Sequence, residues 1–282
     1  MKMLFRLINI ELFKVFSRPR TYIGFAGIAL LVLILEIAFY IDGNRLVDFA
    51  TQSLKESFIF TGNLMNGYLV CLIVLQTLIV HVPLLVSLVA GELLAGEAST
   101  GSFRFLLTRP VSRVNVVIAK YFAAMIYTVA LVVWLSIVGL GLGVILFGHG
   151  ELIVMKTTSI TIFASNDVLW RFACAFAFGA LGMSTVAALA LLLSSVTENA
   201  VGPIVGTMVI IIIFLVINAT DVEALNRIKP FLFTTHINAW KYFFEEEIDK
   251  AGIIQSALIL LGHIIAFVGI TALIFKRKDI LT

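Results

Sequence analysis

Charge is scarce in this sequence of 282 residues. Asp, Glu, Lys and Arg together make up 13%, about half the share found in ordinary soluble domains. Residues 57–91, 121–150, 172–197, 199–220 and 251–275 contain none of the four, and 21–41 contains only Glu36. The apolar set reaches 61%, more than a soluble fold of this size can hide, since small proteins bury only about three quarters of what they expose unfolded. A soluble enzyme and a disordered chain are thereby excluded. Cysteine is nearly absent. Cys71 and Cys174 both lie in apolar stretches, so there is no disulfide scaffold and no metal-ligand spacing. A phosphate-cradling loop is missing too: Gly96 and Gly101 have the glycine spacing, but Ser102 and Phe103 stand where Lys and Ser/Thr are required.

What is present is six uncharged runs long enough to cross a bilayer, which takes about 20 residues at ~1.5 Å each. In lipid every backbone group must be satisfied internally, so such runs are helices. The sequence predicts an all-α polytopic membrane protein with spans near 22–41, 68–90, 121–142, 172–193, 201–218 and 253–275. It reads as one transmembrane domain, 1–282. With the N-terminus inside, the inner segments carry 12 Lys and Arg in 57 residues and a net +7, and the outer segments 42–56, 151–171 and 221–250 a net −3. The positive-inside bias therefore puts both termini in the cytosol and the chain in the cell inner (plasma) membrane. The first span is too long for a cleaved signal peptide.

Three stretches between spans are expected to be structured. In 1–20, Leu4, Phe5, Ile8, Leu12, Val15 and Phe16 form one stripe, with Lys2, Arg6, Lys14 and Arg18 outside it. That is an amphipathic interfacial helix, ended by Pro19. In the inner loop 92–120, Ser99 or Thr100 caps a short helix running to about Thr108, before Pro110, and Ser112 caps a helix leading into span three. In 221–250, Phe231, Phe233, Trp240, Tyr242, Phe243 and Phe244 suit an aromatic belt at the outer leaflet.

Chemistry-bearing residues are few. Gly139, Gly141 and Gly143 read as small residues for close helix packing, and Gly202 and Gly206 as a small-xxx-small motif for packing or dimerisation. Glu36 is an intramembrane candidate close enough to the outer end of span one to snorkel outward, and His81 beside Pro83 marks a kink in span two. Six spans with Gly182-Met-Ser184 and Gly262-His263 leave an alternative open, a rhomboid-like intramembrane serine protease using Ser184 and His263. Its oxyanion and outer-loop motifs are missing, and Thr185 replaces the expected Gly. A non-transport membrane scaffold is a third possibility. No metal cluster or catalytic carboxylate pair is evident.

The inner loop carries a resemblance. Gly96-Glu97, Gly101, Leu106-Leu107 and Pro110-Val111-Ser112-Arg113 resemble the loop between the second and third spans of ABC-2-type ABC transporter permeases. The six-span layout and the amphipathic start ending at Ser17-Arg18-Pro19 agree with the small members whose ATPase is a separate polypeptide. The resemblance implies a permease subunit, not itself an enzyme, exporting an amphipathic or lipid-like substrate. It implies no cofactor in this chain, ATP and magnesium being bound by two copies of a P-loop ATPase subunit. A second permease copy would complete a homodimer, or a different permease a heterodimer. Membrane lipid is the remaining partner, and nucleic acid is not one. The coupling surface implied comprises Glu97, Gly101, Phe103, Arg104, Phe105, Arg109, Pro110 and Arg113, with Lys14 and Arg18 on the N-terminal helix.

Overall fold

The computed structural model describes residues 2–55, 64–78, 80–99, 112–155 and 160–277. The helices are α1 (Lys2–Phe16), α2 (Pro19–Lys55), α3 (Gly67–Thr77), α4 (His81–Ala90), α5 (Glu92–Ser99), α6 (Arg113–Phe147), α7 (Ser165–Val196), α8 (Val201–Ala219), α9 (Glu223–Asn226), α10 (Phe233–Ile237) and α11 (Lys250–Arg277). Two 3₁₀ turns cover Lys229–Phe231 and Asn238–Phe244. Among the described residues, six helical segments are long and apolar enough to cross a membrane: Pro19–Gly43, His81–Ser99, Arg113–Phe147, Ser165–Val196, Val201–Ala219 and Lys250–Arg277. The described residues form an all-α polytopic bundle, with one departure. An antiparallel hairpin, β1 (Leu152–Met155) and β2 (Ile160–Phe163), pairs Leu152 with Phe163 and Met155 with Ile160. Leu-Ile-Val-Met and Ile-Thr-Ile-Phe are short, β-branched and bounded by polar residues, a strand signal hidden among longer apolar runs.

Local chemistry sets the helix ends. Pro19 opens α2, where its missing N–H has no partner to lose. The Ser112 side chain accepts from Asn115 N at the start of α6, and Gly148, at φ 75°, closes that helix. The Asn66 side chain caps α3 by accepting from the Tyr68 and Leu69 amides.

α7 is the most enclosed of the six and packs against α11, α6, α4 and α8. α2 and α8 turn apolar side chains such as Ile34, Ile41, Val205 and Val216 outward, as membrane-facing helices do. Successive spans alternate in direction. One end of the bundle, called proximal below, gathers α1, the start of α2, α5, the start of α6 and the end of α11. The other, distal, holds the hairpin and residues 221–250.

Span two differs from a single kinked helix. It is broken between Thr77 and His81, and resumes with Pro83 in the first turn of α4. The distal aromatics also depart from a lipid-facing belt. Phe233, Trp240 and Phe244 are buried, Phe244 meets Phe172 at 4.9 Å between ring centroids, and of the six belt candidates Phe231 alone is exposed, at 75%. The reason is that this segment folds back under the bundle. Arg171 fastens it by donating to the Phe243 and Glu245 carbonyls at 2.8 and 2.9 Å while pairing with Asp167.

Candidate functional site

The proximal end carries a buried ion cluster built by three elements distant in sequence. α1 turns Leu4, Ile8 and Val15 toward α6, with Glu11 on the same face and itself buried. α5 contributes Glu97, and the first two turns of α6 bring Lys120, fully buried. The Lys120 ammonium lies 2.8 Å from Glu11 Oε2 and 2.7 Å from Glu97 Oε2. The Lys14 ammonium lies 2.8 Å from Glu11 Oε1 and 2.8 Å from Glu97 Oε1. Two carboxylates and two ammoniums thus alternate, so the cluster carries no net charge. Each charge meets opposite partners, which is the condition under which buried ions are tolerated. Burial alone would depress the Lys14 pKa, but its hydrogen bonds to Glu11 and Glu97 outweigh that and hold it above the ordinary lysine value.

A second pair of contacts lies beside the first. Arg18 and Arg20 reach Glu92 at 3.2 and 3.1 Å, tying the start of α2 to the start of α5. The α4–α5 joint at Gly91 is fixed from span four. Ser194 Oγ donates to the Gly91 carbonyl and accepts from the Leu94 and Ala95 amides. A β-carbon at Gly91 would meet Pro203 at 3.0 Å, so span five also seats against this joint. Arg113 donates to the Phe275 and Lys276 carbonyls at 3.3 and 3.2 Å, closing α11 onto the start of α6.

These contacts locate four of the sequence candidates. Lys14, Arg18 and Arg113 sit at the proximal surface or just beneath it. Glu97 is turned inward, so its charge is spent on Lys14 and Lys120 within the chain. Gly101, Phe103, Arg104, Phe105, Arg109 and Pro110 lie outside the described residues, as does the helix expected up to Thr108. Sequence reading missed Glu11 and Lys120. The signal was present: Glu11 is the single acid in residues 1–20 and falls on the apolar stripe of α1.

The remaining candidates are scattered. Gly139 and Gly143 face α3. A β-carbon at Gly139 would lie 3.8 Å from Cys71 Sγ, while Gly141 faces open space. Gly206 packs on Leu193 of span four, and Gly202 lies against Asn199 and Thr197. His81 is exposed beside the break in span two, its Nδ1 3.3 Å from the Thr77 carbonyl. Glu36 does not snorkel outward. It is fully buried, and among the described residues neither carboxyl oxygen has a hydrogen-bond partner. The Ser184 hydroxyl donates to Ala180 O, and His263 Nδ1 is paired with Ile259 O. Each bonds its own helix rather than the other. Among the described residues no group of three His, Cys, Asp or Glu side chains is placed to hold a metal ion.

The fold and the proximal cluster define a polytopic membrane protein with six candidate spans among the described residues and an N-terminal helix latched to the bundle by buried charges. The sequence matches the family model described as a protein of unknown function, DUF2705, over residues 22–281, and the chain belongs to that family. No curated protein matches it.

Proposed function

We propose that this chain is the membrane-spanning permease subunit of an ATP-driven ABC transporter of the ABC-2 type, with ATP hydrolysed by a separate subunit. The observation that supports the reading most is the proximal latch. Residues 100–111, which carry Phe103, Phe105 and Arg109, join α5 to α6 in the sequence. Those are the two helices that Glu97 and Lys120 join to α1. A partner pressing on that segment acts on α1 through the ion cluster and on the start of α2 through Glu92. It reaches spans four and five through Ser194 and Pro203. A push at one short segment is thereby delivered to most of the bundle, which is what coupling to a soluble ATPase needs.

In this reading the proximal end is cytosolic, as its Lys and Arg excess requires, and both termini lie inside the plasma membrane. Phe103 and Phe105 are apolar anchors in a groove of the ATPase, Arg104, Arg109 and Arg113 set register, and Lys14 and Arg18 form a second contact. Glu97 acts indirectly, by holding α1 in place. Two ATPase copies and two permease copies make the unit, as a homodimer or with a second permease. The apolar faces of spans one, two and five favour an amphipathic or lipid-like cargo.

The test is purification of the tagged chain from native membranes in mild detergent, with mass spectrometry of what accompanies it. A P-loop ATPase in one-to-one ratio is expected, lost on Phe105→Asp at unchanged expression. A chain that purifies alone, under conditions that keep other membrane complexes intact, overturns the reading and leaves the scaffold and protease alternatives.

A further inference from the structure

Glu36 lies where α2 crosses the seam between α3 and α6. That seam is unusually tight. A β-carbon at Gly67 would stand 2.5 Å from the backbone of Gly143 and Val144, so the two helices touch main chain to main chain. A β-carbon at Gly143 would lie 3.6 Å from Glu36 Oε1. The carboxyl therefore sits directly on the crossing point. Above it the seam is sealed. The Gly67 amide donates to Gly148 O at 3.0 Å, Asn66 Nδ2 donates to Glu151 O at 2.7 Å, and the Tyr68 hydroxyl meets His149 Nδ1 at 2.9 Å.

Of the ionisable groups on the elements packed here, α3 brings Cys71 and Tyr68, His149 lies just beyond α6, and α2 itself brings Tyr40, one turn on and set against Phe147. α6 brings none between Tyr127 and its end at Phe147, and α4 brings His81, which is exposed. On α2 itself Asp42 and Arg45 pair with each other near the distal surface, at 3.2 Å. None of these hydrogen-bonds to Glu36. A buried carboxyl without a donor or a cation is tolerated as the neutral acid and not as the anion. The same face of α2, two and three turns on, meets a cavity. Gly43, Val47 and the neighbouring Phe39 line it together with Leu69 and Leu72 of α3, and its volume is about 380 Å³. Glu36 does not itself line this cavity, whose walls are apolar apart from Gln76, so the cavity holds water only once a charge nearby demands it.

We propose that Glu36 is an intramembrane proton-binding site that controls the seating of α2 on the α3–α6 seam. With the proton on, the neutral carboxyl stays buried and the seam is closed. When the proton passes to water, a carboxylate remains. It draws water in through the α2–α3 cavity, and α2 lifts from the Gly67–Gly143 crossing. The ligand is a proton, and the inference stands whether or not the chain serves an ATPase.

The full-length chain in lipid nanodiscs tests this with dicyclohexylcarbodiimide, an apolar reagent that adds to protonated carboxyls, and peptide mass spectrometry. Adduct at Glu36 is expected at low pH, falling about tenfold per pH unit once the acid titrates. No adduct at any pH, or a yield that does not change with pH, overturns the proposal. A second reading follows the movement. With both native cysteines replaced by Ser, Phe39→Cys is treated with a water-soluble thiosulfonate across the same pH range. Its rate should rise more steeply with Glu36 than with Glu36→Gln, which cancels the thiol's own titration. Identical slopes in the two backgrounds contradict the movement of α2.

Discussion

Glu97 and Glu36 are both buried carboxyls, yet they stand at opposite extremes of pairing. Glu97, at the proximal end, has an ammonium at each oxygen. Glu36, within span one, has no hydrogen-bond partner at either among the described residues. The first is an ion that the fold has neutralised with neighbours and so can use as a rivet. The second has been given no neighbour and so can respond to its surroundings. The two sites also differ in what builds them. The rivet joins helices far apart in sequence through long flexible side chains, whereas the seam at Glu36 depends on two glycines that leave no room for a β-carbon.

The comparison breaks most sharply at Lys120. Lys120→Met removes one ammonium from two buried carboxylates, and the remaining charge imbalance should cost about 3–5 kcal/mol. Thermal unfolding of the purified protein, followed by loss of monodisperse elution, would register it as a large fall in midpoint. Next is the direct contrast between the two carboxyls. Glu97→Gln should lower stability by about 3 kcal/mol because Lys120 and Lys14 lose a counter-ion. Glu36→Gln, which removes no partner, should change it by less than about 1 kcal/mol. Equal losses for the two would erase the distinction. The seam gives a smaller effect. Gly67→Ala forces a β-carbon into backbone and should cost about 1–3 kcal/mol. Gly141→Ala, with open space around it, should stabilise α6 by about 0.5–1 kcal/mol. The mildest is alkaline release of α1. The Lys14 pKa is raised on folding, so its contribution is complete below the ordinary lysine value of 10.5 and is lost as pH rises through the raised value. Hydrogen exchange of α1 amides should accelerate in that range in the native chain and change less in Lys14→Met.

The spans were legible because lipid imposes one rule on the backbone, and the absence of charge over twenty residues is hard to counterfeit. Pro19 and Ser112 marked helix starts through chemistry that needs no tertiary context. Other features depend on contacts that a linear reading does not contain. Glu36 lies few enough residues from the end of span one to snorkel outward, but α2 runs on to Lys55 and the carboxyl faces the seam. Phe233, Trp240 and Phe244 have the composition of an interfacial belt, yet the segment folds under α7 and they become core. Pro83 signals a disturbance in span two, though the end of α3 at Thr77 and the restart at His81 do not follow from it. The ion cluster was half visible: Lys14 and Glu97 drew attention as charges on a presumed interface, while Lys120 looked like the ordinary basic flank of a span. Its partner Glu11 is separated from it by 109 residues, a distance across which charge pairing leaves no local pattern.

The central claim is that the segment joining α5 to α6 meets a soluble ATPase. The most direct test places a photo-crosslinking benzoylphenylalanine at Phe105 in the full-length chain, irradiates intact membranes and identifies the adduct by mass spectrometry. The account predicts a crosslink to a P-loop ATPase, absent when the same residue is placed at Phe147 at the other end of α6. Adducts to lipid alone from position 105, with the protein expressed and folded, would contradict it.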